Sequence, residues 1–211
     1  MTKHQNKIEK LIAELCPEGV EFKELEEVCK SITSGGTPLT SKSDYYGGDI
    51  PWARTQEVDW CNIYDTDLKI TKSGLDSSSA RVIPINCVIV AMYGATVAKV
   101  AINKIPLSTN QACCNLEIND TVADYKYVYY WLNKKYENLK SLGRGSQSNI
   151  NSKIVKAFKI PIPPLPIQKE IVKILDTFTE LESELESELE SRKKQYEYYR
   201  DKLLTFKERE N

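Results

Sequence analysis

The sequence predicts an α+β protein, with one mixed globular domain over residues 1–165 and a long C-terminal coiled-coil helix over 166–211. Three observations carry that expectation. Apolar residues recur at helical spacing near the start and again over 124–142, the text from Ile50 to Ile118 is strand-like, and no Gly or Pro follows Pro166. At 211 residues the chain suits one domain plus an appendage.

In the first helix, residues 3–15, Ile8, Leu11, Ile12 and Leu15 share a face, and "PEG" ends it. Leu25, Val28, Cys29 and Ile32 repeat that spacing and predict a second helix. The stretch "SGGTPLTSKSDYYGG" (34–48) is loop, punctuated by Gly and Pro. Next, "CVIVAM" and "VAKVAI" flank "YGAT" as a β-hairpin, and "CCNLEI" is a further strand. Helical spacing returns through Val128, Leu132 and Leu139, with Gly143 as the stop. The prolines of "KIPIPPLP" can continue neither a sheet nor a helix interior, so an extended strap is expected. Beyond it the chain reads as one helix of about 44 residues, roughly 65 Å long at 1.5 Å per residue.

That helix contains "ELESELESELES" (180–191), one four-residue unit written three times. A period of four drifts around a helix of 3.6 residues per turn. The glutamates repel along the helix by a few tenths of a kcal/mol per i,i+4 pair. Burying one leucine is worth about 1.5–3 kcal/mol, which exceeds the repulsion. The segment is therefore expected to pair with another helix through Ile171, Leu175, Phe178, Leu181, Leu185, Leu189, Tyr196, Tyr199 and Leu203.

Several function classes are disfavoured. No run reaches the roughly 18 apolar residues of a membrane span, and Glu9 and Glu14 interrupt the start where a signal peptide is apolar. A cytoplasmic location is expected. The six cysteines form no C-x-x-C pair and His4 is the single histidine, so free buried thiols are expected rather than a metal site. No G-x-G-x-x-G, Walker A or adenine-methylase motif occurs, and no catalytic residue is assigned. Residues 31–168 carry 15 Lys/Arg against 11 Asp/Glu, and no acid lies between Glu137 and Glu170. A local cationic face suits a polyanion.

The segment "FKIPIPPLPIQKEIVKILDTFTELESELESELESRKKQYEYYRDKLL" (158–204) resembles the conserved spacer of DNA specificity subunits from type I restriction–modification systems, in the branch with short tetrad repeats. "SGGTP", "DIPWARTQEV", "IPINCVIVAMYGATVAKVAI", "STNQACC" and "GRGSQSNINSKIVKAFKIPIPPL" are similar to blocks of the family's target recognition domain. The resemblance implies a noncatalytic subunit that binds double-stranded DNA and directs a type I methylation subunit. S-adenosylmethionine is then expected in that partner and no cofactor in this chain, with a restriction subunit as a further partner. The docking face implied for the methylation subunit combines the long helix with helix 3–15. The family also implies two recognition domains held apart by antiparallel helices that act as a ruler, and this chain carries one domain and one helix. A homodimer reading an interrupted palindrome, a pairing with a different half, and a truncated gene all stay open, the first being favoured by the intact seam. Two other classes stand beside it: a decoy or coiled-coil adaptor that pairs with a full-length specificity subunit, and a stand-alone DNA-modifying enzyme.

Base readers must lie on loops and donate or accept in a groove, while phosphate contacts supply affinity. In "GRGSQSN", Arg144 can fork onto guanine, Gln147 or Asn149 can pair with adenine, and Ser146 and Ser148 can bond phosphates; the glycines serve equally as a helix stop. In "SKSDYYGG", Lys42 and Ser43 suit phosphate, and Tyr45 or Tyr46 suits either a sugar or ordinary packing. Arg54, Arg81, Tyr93 and Thr96 are further candidates on turns, and Lys72 and Lys99 are generic phosphate contacts. Asn110 and Gln111 lie in a family block and serve equally to satisfy the backbone.

Overall fold

The structure is a computed structural model that describes residues 3–143 and 149–206. It resolves into two compact units, Met1–Lys169 and Glu170–Asn211, a boundary four residues beyond the expected one. The fold is α+β. Helix α1 (Lys3–Leu15) comes first, ended by the Pro17–Gly19 turn where Gly19 takes φ +96°. Strand β1 (Phe22–Glu24) and helix α2 (Leu25–Val28) follow, then β2 (Cys29–Ser34).

The expected helix through Ile32 is thus one turn long. A reciprocal cap between Glu24 and Glu27 starts it, and Cys29 leaves it in extended backbone. Cys29–Ser34 then pairs antiparallel with β9 (Cys113–Ile118), and Ser31 donates to the Glu117 carboxylate at 2.9 Å. Strand β3 (Tyr46–Ala53), β4 (Asn62–Ile63), β5 (Lys69–Ile70), helix α3 (Lys72–Asp76), β6 (Val88–Ala91), β7 (Val100–Asn103) and β8 (Ser108–Thr109) lie between them. A five-stranded sheet has the order β2-β9-β6-β7-β4, and a three-stranded sheet the order β5-β3-β8.

The expected hairpin is β6–β7, with Val88 opposite Ile102 and Val90 opposite Val100. Alternation places Cys87, Ile89 and Ala91 on one face, in a core with Ala53, Ile83, Ala101, Leu107 and Cys113. Every residue of β6 and β7 is buried, so the other face is covered as well. Helix α4 (Tyr125–Lys134) packs against both strands and buries Val128 and Leu132. Asp124 caps it, accepting from the Lys126 and Tyr127 amides. The helix expected over 124–142 breaks at Lys135, whose φ −99°, ψ 16° separates α4 from α5 (Tyr136–Ser141). Helix α6 (Ser152–Lys156) follows the undescribed stretch.

The proline strap also pairs. Strand β10 (Lys159–Pro161) runs antiparallel to β1, with Phe22 opposite Pro161. The Leu25 amide donates to the Phe158 carbonyl and the Ile162 amide to Glu21. Bonding residues alternate, so Pro161 falls where no amide hydrogen is called for. Helix α7 (Leu165–Leu204) begins directly afterwards and spans 40 residues, shorter than expected because Thr205 and Phe206 have left it. No helix among the described residues is long and apolar enough to cross a membrane.

Gln168, fully buried, ties the strap to the domain. Its amide accepts from the Asp124 amide at 2.9 Å and donates to the Val122 and Pro163 carbonyls at 3.2 and 2.8 Å. Gln168→Leu keeps the bulk and strands these three backbone groups. A loss of about 2–4 kcal/mol is expected, lowering the thermal midpoint by about 10 °C in a domain of this size. Thermal unfolding followed by near-UV circular dichroism checks this, and an unchanged midpoint would show that the tie is dispensable.

Candidate nucleic-acid interface

One end of the five-stranded sheet gathers polar loops. Strand β2 ends there and β9 begins there, β6 ends and β7 begins, and the chain between these last two turns through Met92–Lys99, with Gly94 at φ +82°. Neighbouring segments brace the turn. The Met92 amide donates to the Ala112 carbonyl at 2.8 Å, and the Ile150 amide to Met92 at 3.0 Å. The Thr96 hydroxyl donates to the Thr55 carbonyl at 2.6 Å, and the Thr37 hydroxyl donates to Gln111 Oε1. Tyr93 is 40% exposed at the tip, Gln56 and Gln111 are exposed beside it, and Asn149 stands next to Ile150. The Asn149 Oδ1 is buried without a hydrogen-bond partner. Arg144, Ser146, Gln147 and Ser148 lie outside the described residues.

A second patch forms from the other polar loop. Residues Ser43–Tyr45 make a 3-10 turn that rests on the start of α3. The Thr71 amide donates to the Tyr45 carbonyl at 3.0 Å, and its hydroxyl donates to the Asp44 carbonyl at 2.9 Å. Gly74 is required here, since a Cβ would meet the Tyr45 carbonyl oxygen at 2.4 Å. Lys42 lies 5.3 Å from the centre of the Tyr45 ring, and Ser43 is exposed. Lys72 joins this patch but pairs with Asp76 at 2.6 Å. Tyr46 serves packing, with its hydroxyl on the Pro38 carbonyl at 2.7 Å and its ring edge-on to Trp52. Trp52 in turn donates to the Gly36 carbonyl at 3.0 Å, so residues 36–38 run between the two patches.

The cations are less free than the sequence implies. Arg54 lies 3.7 Å from Asp67 and 3.9 Å from Glu57, and Lys99 lies 2.5 Å from Asp59. Within the acid-free stretch, Lys156 reaches Glu26, 130 positions away, at 2.7 Å, and Lys140 reaches the Tyr136 hydroxyl at 2.9 Å. Acids missing from the local sequence arrive through the fold. Arg81 is exposed, beside a small cleft of about 100 Å³ that Thr33, Asn115 and Glu117 also line. Burial pushes the Cys29, Cys87 and Cys114 thiols up to about 12 and raises Cys113 as well, so they are uncharged at neutral pH. Among the described residues, no three His, Cys, Asp or Glu side chains cluster as a metal site.

The arrangement supplies neutral donors and acceptors at the sheet end, with cations beside them, the division of labour that groove reading requires. Thr37, Thr55 and Gln56 are not among the sequence candidates, because long-range hydrogen bonds place Thr37 and Thr55 there and Gln56 follows Thr55 in the chain. Lys42→Ala is expected to lower the slope of log affinity against log salt by about 0.9, as one lost phosphate contact does. Tyr46→Phe removes an internal hydrogen bond and is expected to cost about 1 kcal/mol of stability with the slope unchanged. Salt titrations of duplex binding on both variants separate these roles.

In unit 2, the expected seam is solvent-facing. Phe178, Leu181, Leu185, Leu189, Tyr196, Tyr199 and Leu203 are between 48% and 68% exposed, whereas Ile171 and Leu175 are half-buried.

The family model described as type I restriction modification DNA specificity domain matches residues 17–191. The specificity subunit of the Escherichia coli EcoR124I/EcoR124II type I restriction enzyme is 32% identical over 198 residues, 89% of this chain and 48% of its own length. A chain from a structure solved for complex assembly and conformational transition of the type I R-M system superposes with TM-score 0.68 at 19% identity, covering 93% of this chain and 49% of that one. The HsdS subunit from Thermoanaerobacter tengcongensis gives TM-score 0.61 at 19% identity, over 87% and 45%. The chain spans about half the length of the curated relatives it matches.

Proposed function

The chain belongs to the type I restriction modification DNA specificity family, and from that premise we propose that it is a noncatalytic recognition half that homodimerises through α7. The dimer reads an interrupted palindrome in double-stranded DNA and directs a methylation subunit to adenine within it. The observation that carries this reading is the exposed apolar seam of unit 2, which at seven positions leaves large side chains in water. A symmetric pair of identical domains imposes two-fold symmetry on its target.

In this reading the methylation subunit holds S-adenosylmethionine, a restriction subunit joins the complex and uses ATP, and the assembly works in the cytoplasm. The exposed Ile12 and Leu15 on α1 support a docking face there for the methylation subunit. Mapping of methylated adenines in cells that co-express this chain and the methylation subunit of its own locus tests the proposal. An interrupted palindrome that vanishes with this gene is expected. An asymmetric motif would replace the homodimer with a pairing to a different half. No motif, with both proteins present, would favour a decoy or adaptor.

A further inference from the structure

The family resemblance implies antiparallel helices and leaves their register open, and α7 carries two independent records that bear on it. The first is the spacing of the seam. At 100° per residue, the positions from Phe178 to Leu203 stay within a stripe about 80° wide, because each four-residue step advances 40° and each three-residue step falls back 60°. Two tetrad steps through Leu185 and Leu189 are thus compensated by three-residue steps on either side, and the drift of the repeat does not carry the leucines off the face. The same spacing is nearly a mirror image of itself. Phe178 and Leu203 are equidistant from the point between Glu190 and Ser191, as are Leu185 and Tyr196; Leu181 and Tyr199 match to within one residue. Only an antiparallel partner brings such positions level with one another.

The second record is charge. Glu180, Glu182, Glu184, Glu186, Glu188 and Glu190 crowd one half of the segment, and Arg192, Lys193, Lys194, Arg200 and Lys202 the other. A parallel second copy would lay the glutamates on their own counterparts. An antiparallel copy lays the acidic half on the basic half. In an antiparallel pair each flank of the seam meets the same flank of its partner. One flank carries Glu182 and Glu186 in the first half, and Lys193 and Arg200 in the second. With the axis between Glu190 and Ser191, Glu182 comes level with Arg200 to within a residue, and Glu186 with Lys193 to within two. Arg200 lies 2.8 Å from Asp201 within the chain, and Arg192 3.3 Å from Glu188. These are exposed local pairs worth little in water, so they do not oppose exchange across an interface.

We propose that a second copy of this chain docks on the seam antiparallel, with the two-fold axis passing between Glu190 and Ser191, so that Phe178 of each copy meets Leu203 of the other and Leu185 meets Tyr196. The proposal rests on the homodimer reading, whose antiparallel direction the resemblance already implies, and goes beyond it by fixing the register. Apolar spacing sets the register, and charge excludes the parallel arrangement. Near the axis, each Leu189 faces the aliphatic stem of the other copy's Arg192, which covers the leucine while its guanidinium stays in water.

Disulfide trapping in the full chain tests it, with the unmodified protein as the blank for its own cysteines. The single variants Phe178→Cys and Leu203→Cys, the double variant, and a register control carrying Phe178→Cys and Tyr196→Cys are oxidised mildly and run on non-reducing gels. Sedimentation of each without oxidant reports the oligomeric state. The expected result is a dimer in every case, with covalent dimer from the Phe178–Leu203 double variant and its loss in both singles and the control. A dimer in which either single variant bridges to itself would overturn the direction. Bridging in the control in place of the expected pair would overturn the register and leave the homodimer standing. A monomer for the unmodified chain would overturn the homodimer reading, and the register with it.

Discussion

Replacing Leu185 and Leu189 together with aspartate is expected to turn the proposed dimer into a monomer and to remove most of its sequence-specific affinity for DNA. Both leucines are more than half exposed in the single chain, at 66% and 55%, so neither substitution disturbs the domain core. In the proposed pair each is buried, and burial of a leucine is worth about 1.5–3 kcal/mol. Four leucines are lost per dimer, and four carboxylates enter a segment already crowded with glutamate. Counting only half of the nominal burial still leaves about 4 kcal/mol, or roughly a thousandfold in the dimer dissociation constant. DNA affinity falls with it, because the second half-site is then bound from free solution and not at the millimolar effective concentration a joined partner enjoys. A loss of about a hundredfold or more is expected for the full site, with little change for an isolated half-site. Sedimentation and duplex titrations measure both. The domain provides the control: Trp52, Trp60 and Trp131 lie in unit 1, so an unchanged near-UV spectrum excludes unfolding as the cause. A variant that still dimerises would show that α7 is not the interface.

The parts of the fold that matter for this pairing are local. Helix α7 was legible from the lack of Gly and Pro and from the spacing of its apolar residues, and the β6–β7 hairpin from two runs of alternating β-branched residues around Gly94. Segments whose conformation is decided by distant partners were not legible. Leu25, Val28, Cys29 and Ile32 have helical spacing, yet only the first two are in a helix, because residues 29–34 find β9 more than 80 positions later. The prolines of the strap argue against pairing, yet it pairs because Pro161 occupies a position that donates nothing. A periodicity argument cannot see either partner.

The same division runs through the candidate interface. Lys42, Ser43 and Tyr45 form one patch because they are close in sequence and close in space. Thr37 and Gln111 are 74 positions apart, and Thr55 and Thr96 are 41 apart. Nothing in either segment alone marks them as neighbours. The charge argument fails for a related reason. A stretch without acids reads as a cationic face, but Glu26 approaches from another element to meet Lys156; outside that stretch, Asp59 likewise meets Lys99. Net charge along a sequence is a property of the text, while the field at a surface is a property of the fold.

Deleting one tetrad, Glu184–Ser187, is expected to shorten the gap in the recognised palindrome by about two base pairs while leaving the half-sites unchanged. After the deletion Leu181 is followed four residues later by Leu189, so the seam keeps its face. It also keeps its mirror symmetry, with Phe178 still level with Leu203 and the axis now closer to each domain. In an antiparallel pair the distance between the two helix starts counts the residues from one start to the axis and back out to the other. Removing four residues from each copy therefore removes four from that total, about 6 Å at 1.5 Å per residue. At 3.4 Å per base pair this is nearly two steps of DNA. Rotation argues for less, since four residues turn a helix about 40° beyond a full turn and two base pairs turn the duplex about 70° at 10.5 per turn. Translation decides the outcome. A one-step change would leave about 2.6 Å of axial misfit to be absorbed by two stiff helices, whereas the remaining 30° spreads over the base pairs of the gap as a few degrees of twist each. Methylated-adenine mapping of the deletion variant reads the result directly. An unchanged gap would mean that the repeat length does not set the distance between the domains.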